Sequence, residues 1–259
     1  MKRYLFVALV MLILVLPGLV LLSGCSAPST DTGTEAQAAI IDQLYSLQPN
    51  QAFIDDTVEV LNAYGFEVDV YQGDEVTVGL YRRLPAYGYK LIIFRAHSGL
   101  FLSGGEVVKA TWVFTNEPYS PTKYVDEQLS GRLAQARVRE GEPFFFAIGS
   151  EFVTDSMDGQ FDNTVVIMMG CSCIYLYDLA VAFAAKGCSA YLAWDAPVGL
   201  DYVDEATTNL IENLCAEDMT IKQAVDKTMS EVGPDPDYQA RLKYYPLESG
   251  NSIIKELTR

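Results

Sequence analysis

Imidazole is nearly absent from this chain: 259 residues carry a single histidine, His97. Any proton transfer by imidazole must therefore use that side chain. Cations are scarce as well. Against 34 Asp and Glu stand 18 Lys and Arg, for a formal charge of −16 and a pI near 4.4. Nucleic acid, whose phosphates demand a basic surface, is excluded as a partner on that balance. The acidity suits a domain that keeps clear of anionic lipid, or one that selects basic substrates, and on its own it is chiefly a statement about solubility. The five cysteines do not form the pattern of a disulfide framework, and Cys171 and Cys173 are too close in sequence for an ordinary bridge. There is no internal repeat. What is present is globular in character: 50% of residues are hydrophobic and 20% charged, in a length that holds one α/β domain with a substantial core.

The N-terminus stands apart from that domain. Lys2 and Arg3 precede an almost unbroken apolar run from Tyr4 to Leu22, the layout of a signal segment. The run closes with Leu22-Ser23-Gly24-Cys25, which resembles the lipobox of bacterial lipoprotein signal peptides. That resemblance implies cleavage after Gly24, acylation of Cys25, and a chain tethered to the membrane through its N-terminal lipid on the extracytoplasmic side. A transmembrane anchor is the alternative, because the run approaches the roughly 20 residues that span a bilayer. Residues 25–37 are small, polar and punctuated by Pro and Gly, as in a flexible tether. The domain is expected over residues 38–259.

From Ala38 onward strand-like and helix-like runs alternate. Ala38–Asp42 reads as a buried strand, Phe53–Tyr64 as a helix closed by Gly65, and Phe66–Tyr71 as an alternating strand. A short helix follows around Val76–Leu84. Strand, helix, strand with short links predicts a mostly parallel sheet with helices on its faces. Two later strands carry chemistry at their ends. Leu91–Ala96 delivers His97, and the run Val165–Met169, ended by Gly170, delivers Cys171. In open α/β sheets ligands bind at the carboxyl ends of the strands, so a thiol and the lone imidazole are expected where chemistry is done. Residues 100–162 are less regular and read as an insertion. In it Val107–Thr115 and Phe144–Ile148 are expected as strands and Lys123–Val138 as a helix. Beyond Cys173 the pattern predicts a helix over Leu176–Lys186, a strand over Ser189–Trp194, helices over Asp201–Cys215 and Met219–Val232, and an edge strand at Lys243–Leu247.

This order of elements resembles the caspase-like (caspase–haemoglobinase) cysteine peptidases, most nearly their bacterial CHAT branch. The motifs that carry the resemblance are Leu91–Ala96 with His97, Thr164–Gly170 with Cys171, the alanine-rich Asp178–Gly187, the small and apolar Ser189–Ala193, and Trp194-Asp195-Ala196-Pro197-Val198. The resemblance implies a three-layer caspase-like sandwich with a mostly parallel central sheet. It implies an endopeptidase acting on protein or peptide substrates without metal or other cofactor, Cys171 being the nucleophile and His97 the general acid and base. The backbone N–H groups of Cys171 and of Ser98 or Gly99 would then meet the oxyanion. In that family Gly usually follows the histidine directly; here Ser98 does, with Gly99 one later.

Each of these residues also has a plainer reading. A free cysteine is most often buried and inert, and a histidine at a strand end is often held by a loop carbonyl. Cys173 is the rival nucleophile. A metal reading takes Cys171, Cys173 and His97 as ligands, but a Cys-x-Cys without a second cysteine pair is a weak zinc signal. An acidic pocket would favour Arg or Lys before the scissile bond. Asp195 is the best-placed carboxylate for it, Asp42 and Asp201 being weaker candidates, and Trp194 is a candidate wall. A caspase-like surface lipoprotein that binds or senses without cutting is the second function class.

Overall fold

A computed structural model describes residues 36–103 and 106–258; the expected signal peptide, Cys25 and most of the tether lie outside the described residues. The chain opens with β1 (Ala36–Asp42), α1 (Gln51–Tyr64), β2 (Phe66–Gln72), α2 (Val78–Arg83) and β3 (Leu91–Arg95). A second group follows: β4 (Ser98–Ser103), β5 (Glu106–Pro118), α3 (Val125–Leu129), β6 (Leu133–Ala136), β7 (Phe145–Ile148) and α4 (Ser150–Asp155). The chain then returns with β8 (Thr164–Met168), α5 (Asp178–Ala185), β9 (Cys188–Trp194), α6 (Leu200–Leu214), α7 (Ile221–Glu231), β10 (Leu242–Tyr245) and α8 (Ile254–Leu257). Six strands form one sheet in the order β2-β1-β3-β8-β9-β10, parallel throughout except for β10, which runs antiparallel along β9 at the edge. The architecture is a three-layer α/β sandwich on a mostly parallel sheet, as expected.

The central strands are buried on both faces, which is why they read as continuous apolar runs. Alternate residues still go to opposite layers. Ile41, Ile92, Phe94, Val166, Met168 and Tyr191 join one cluster with Tyr81 of α2, Phe152 of α4 and Phe183 of α5. Ile40, Leu91, Ile93, Val165, Ile167 and Leu192 join the other with Phe53 and Leu61 of α1, Leu210 of α6 and Val225 of α7. Helix ends follow local chemistry. The Asn50 side chain accepts the Phe53 N–H at 3.2 Å to start α1, and Gly65, at φ 107°, ends it by donating to the Leu61 and Asn62 carbonyls. Thr220 and Gln223 cap each other's backbone at the start of α7.

The insertion holds a second, antiparallel sheet in the order β4-β5-β7-β6. Two expectations are corrected here. Lys123–Val138 is not one helix: only Val125–Leu129 is helical, Gly131 takes φ 74°, and Leu133–Ala136 pairs with β7. A glycine at that φ ends a helix, and Leu133 is buried against the core as a strand residue. The tether is shorter than expected, because Ala36 and Gln37 already pair with Phe66 and Glu67 of β2.

Candidate active site

β3 and β8 are adjacent and parallel, with Phe94 opposite Met168, so the segments leaving their carboxyl ends meet. Their approach is close. A Cβ built on Gly170 would lie 2.2 Å from the Ser98 Oγ and 2.7 Å from the Ala96 carbonyl oxygen, so only glycine fits. The Ser98 hydroxyl fills that space and donates to the Cys171 carbonyl at 2.7 Å. The residue after His97 is thus bonded to the residue proposed as nucleophile.

The turn carrying the thiols is held from the neighbouring strand. The Ser172 N–H donates to the Ala196 carbonyl at 3.0 Å and the Ile174 N–H to the Trp194 carbonyl at 3.2 Å. Ser172 itself sits in the left-handed region at φ 57°, uncommon for a side-chain-bearing residue and typical of functional turns. The two cysteines differ sharply. Cys173 is fully buried, its thiol donates to the Ser98 Oγ at 3.0 Å, and burial pushes it up to about 12. Burial thus makes its thiolate costly, and Cys173 is the less suited of the two as a nucleophile. Cys171 is half-buried, and its sulfur receives the Val198 N–H at 3.5 Å. Asp235, almost fully buried, stabilises that wall: it accepts the Gly199 N–H at 2.8 Å and the Tyr238 N–H at 2.7 Å.

The His97 backbone is fixed by its N–H, which donates to the Gln43 side chain at 2.9 Å, and its carbonyl accepts from Phe114 at 2.9 Å. The imidazole packs on Phe114 at 5.9 Å between ring centroids. Burial depresses its pKa below the ordinary 6.5; Glu142 opposes that shift, while Arg139 and Arg95 add to it. The ring borders a cleft of about 370 Å³ shared with Trp112, Phe114, Ala134, Ala136 and Arg137, and Cys171 is not among its walls. Among the described residues the imidazole and the Cys171 thiol share no hydrogen bond. The two loops meet through Ser98 rather than ring to sulfur.

Of the oxyanion candidates, the ladder separates Ser98 from Gly99. The Phe114 N–H to His97 carbonyl bond makes Ser98 and Val113 the non-hydrogen-bonded pair and commits the Gly99 N–H to Trp112 across the ladder. The Ser98 N–H faces off the sheet, and neither it nor the Cys171 N–H has an acceptor among the described residues. Those two amides are the available donors.

The expected specificity residues fare differently. Asp42 is fully buried and ion-paired with Arg95 at 2.8 Å, and Arg95 also grips Asp204 through two bonds of 2.8 and 2.7 Å. It is a core residue and not a pocket carboxylate. Trp194 is likewise buried, edge-on to Tyr202 at 5.4 Å, so it walls no cleft. Asp195 stays half-exposed, accepting the Arg241 N–H at 2.7 Å with Lys243 at 3.8 Å. Asp201 accepts from the Gln48 side chain at 2.8 Å on the surface. The reading of the sequence missed Asp235, which carried no signal, and Arg95, which did. A cation inside an apolar strand, with Asp42 at the end of its neighbour, announces a buried pair; the two are directly opposite in register.

Among the described residues no group of three His, Cys, Asp or Glu side chains is arranged for a metal ion, and no helix is long and apolar enough to cross a membrane. No family model matches the chain, and no curated protein matches it.

Proposed function

We propose that the protein is a caspase-like, lipid-anchored, extracytoplasmic cysteine endopeptidase with Cys171 as nucleophile and His97 as proton carrier. The observation that carries this is the 2.7 Å bond from Ser98 to the Cys171 carbonyl, which ties the end of the histidine strand to the end of the cysteine strand. Chemically, the Cys171 sulfur adds to the peptide carbonyl while its proton passes to the neutral His97 imidazole. The carbonyl oxygen takes negative charge between the Cys171 and Ser98 N–H groups. The C–N bond then breaks, His97 gives a proton to the departing amine, and water hydrolyses the thioester. A depressed His97 pKa suits a base that is neutral at neutral pH and gives its proton up readily. Cleavage after Arg or Lys rests on Asp195 alone, since Arg95 occupies Asp42. Substrates with Arg, Lys, Asp or Leu before the scissile bond test it, and indifference to charge removes it.

A non-cutting binding module is the second reading, and one observation favours it: the His97 ring and the Cys171 thiol share no hydrogen bond. Iodoacetamide labelling with peptide mapping, between about pH 5 and pH 8, separates the two. Selective labelling of Cys171 that weakens in His97→Ala supports the peptidase. Labelling no faster than an ordinary thiol supports the module.

A further inference from the structure

Beside His97 lies a cleft to which the chemistry of the dyad assigns no role. One face of the four-stranded sheet lines it, with Trp112 and Phe114 of β5, both half-exposed, and, beyond β7, Ala134 and Ala136 of β6. The small side chains of β6 leave room beside the two aromatic rings. At about 370 Å³ it lies near the lower end of small-ligand pockets, room for one large side chain and the backbone that carries it. Charges of both signs stand at its edge. Arg137 lines the cleft, exposed, with its guanidinium 4.9 Å from the Phe144 ring centre. Arg139 is exposed too and close enough to His97 to affect its charge, as is the half-buried Glu142. Among the described residues neither arginine forms an ion pair.

We infer that this cleft is a subsite for the leaving-group side of the substrate, taking an aromatic or large apolar residue directly after the scissile bond and an acidic residue next to it. The inference rests on the reading of Cys171 and His97 as a peptidase dyad, because the group that protonates the departing amine stands on the side to which that amine leaves. His97 borders the cleft and Cys171 does not, so the cleft belongs to that side. The aromatic floor selects a large apolar side chain by area removed from water. Arg137, which lines the cleft, selects a carboxylate beside it, and Arg139 nearby adds to that preference over the opposing Glu142.

The test uses the full chain in detergent, with Cys171→Ala to stop turnover. The chain has two tryptophans, of which Trp194 is buried, so a change in tryptophan emission on binding reports Trp112. The probes are the amides of the dipeptides Phe-Asp, Gly-Asp and Phe-Lys. Phe-Asp should bind roughly 10- to 100-fold tighter than Gly-Asp, and about 3-fold or more tighter than Phe-Lys. The double variant Arg137→Gln/Arg139→Gln, at exposed positions, should erase the preference for Asp over Lys and keep that for Phe over Gly. Equal binding of the three probes, a preference for Lys, or no binding overturns the subsite. Failure of the peptidase reading looks different: the wild-type chain then cuts no peptide and its Cys171 labels as an ordinary thiol, while the Phe-Asp preference persists. If peptides are cut with no preference after the scissile bond, the subsite falls and the dyad stands.

Discussion

The two sheets do different work in one domain. The central strands of the six-stranded sheet are closed on both faces and joined by parallel ladders, and the Arg95 charged cluster is sealed among them. The four-stranded sheet keeps one face half-open, with Trp112 and Phe114 lining a cleft and arginines on its rim. His97 is the joint between them, following β3 of the first and preceding β4 of the second. The contrast teaches that the first sheet sets where the thiol and imidazole stand, and the second sets what can lie beside them. Rigidity and recognition are separated along the chain.

That division breaks most visibly if the sealed cluster is opened. Arg95 neutralises Asp42 and Asp204 in the core, with its third contact on the Gln48 carbonyl at 2.9 Å. Arg95→Met leaves two buried carboxylates facing each other and should cost about 3–5 kcal/mol, read by denaturant unfolding. A loss under about 1 kcal/mol, the range of an exposed pair, would show that the cluster is hydrated and that the first sheet is less closed than described.

The next largest effect is at the contact between the strand ends. Gly170→Ala drives a methyl into the Ser98 hydroxyl and the Ala96 carbonyl, and overpacking of that kind costs about 1–3 kcal/mol. Ser98→Gly should restore part of that loss, since the Ala96 carbonyl remains at 2.7 Å from the new methyl. Full restoration would mean the Ala96 contact relaxes. No restoration would mean that Ser98 is not what holds the loops at their spacing.

The same contrast decides what was legible beforehand. Strands buried on both faces announce themselves as apolar runs, so β3 and β8, the residues they deliver, and the parallel sheet could be read from the sequence. Even the short edge strand β10 came within two residues of its place. The second sheet could not be read so well. β7 is buried, but β6 is half-exposed, and Leu133–Ala136 sits in a stretch whose alanine, glutamine and arginine content favours helix locally. Pairing with β7 overrides that preference, and pairing between distant segments is invisible to local pattern. The cleft was missed with the sheet that forms it. Asp42 and Trp194 were misjudged for a related reason: sequence places them at strand ends, where pockets form, but a buried arginine and an aromatic neighbour decide which way each is used.

A smaller effect isolates the hydroxyl that bridges the two strand ends. Ser98→Ala removes the bond to the Cys171 carbonyl and leaves the Cys173 thiol without its partner, for a loss of about 1 kcal/mol. Turnover should fall more than substrate affinity, because Ser98 is one of many residues lining the cleft but makes the bond that places Cys171. An equal effect on both would assign Ser98 to general packing. The departure from glycine at this position would then be a matter of filling space.

The smallest effects are in pH, and they set the two sheets against each other by sign. His97 has a depressed pKa, so between 6.5 and its lower folded value the unfolded chain binds more protons than the folded one. Its contribution to stability is present above pH 6.5 and is lost as pH falls through that window. Asp42 is shifted the other way: burial, outweighing the pull of Arg95, raises its carboxyl above 3.8, so the folded chain holds the extra proton. Its contribution grows as pH falls through the raised value. His97→Gln should therefore flatten the acid-side loss of stability that begins near pH 6.5, and Asp42→Asn should steepen the loss at lower pH by removing the compensating gain. The acid limb of kcat/KM should also lie below 6.5 in the wild-type chain, since the free enzyme needs His97 neutral. An acid limb above 6.5 would mean that an anion outweighs burial at the imidazole, and Glu142, the carboxylate that already opposes the depression, is the group that would do so.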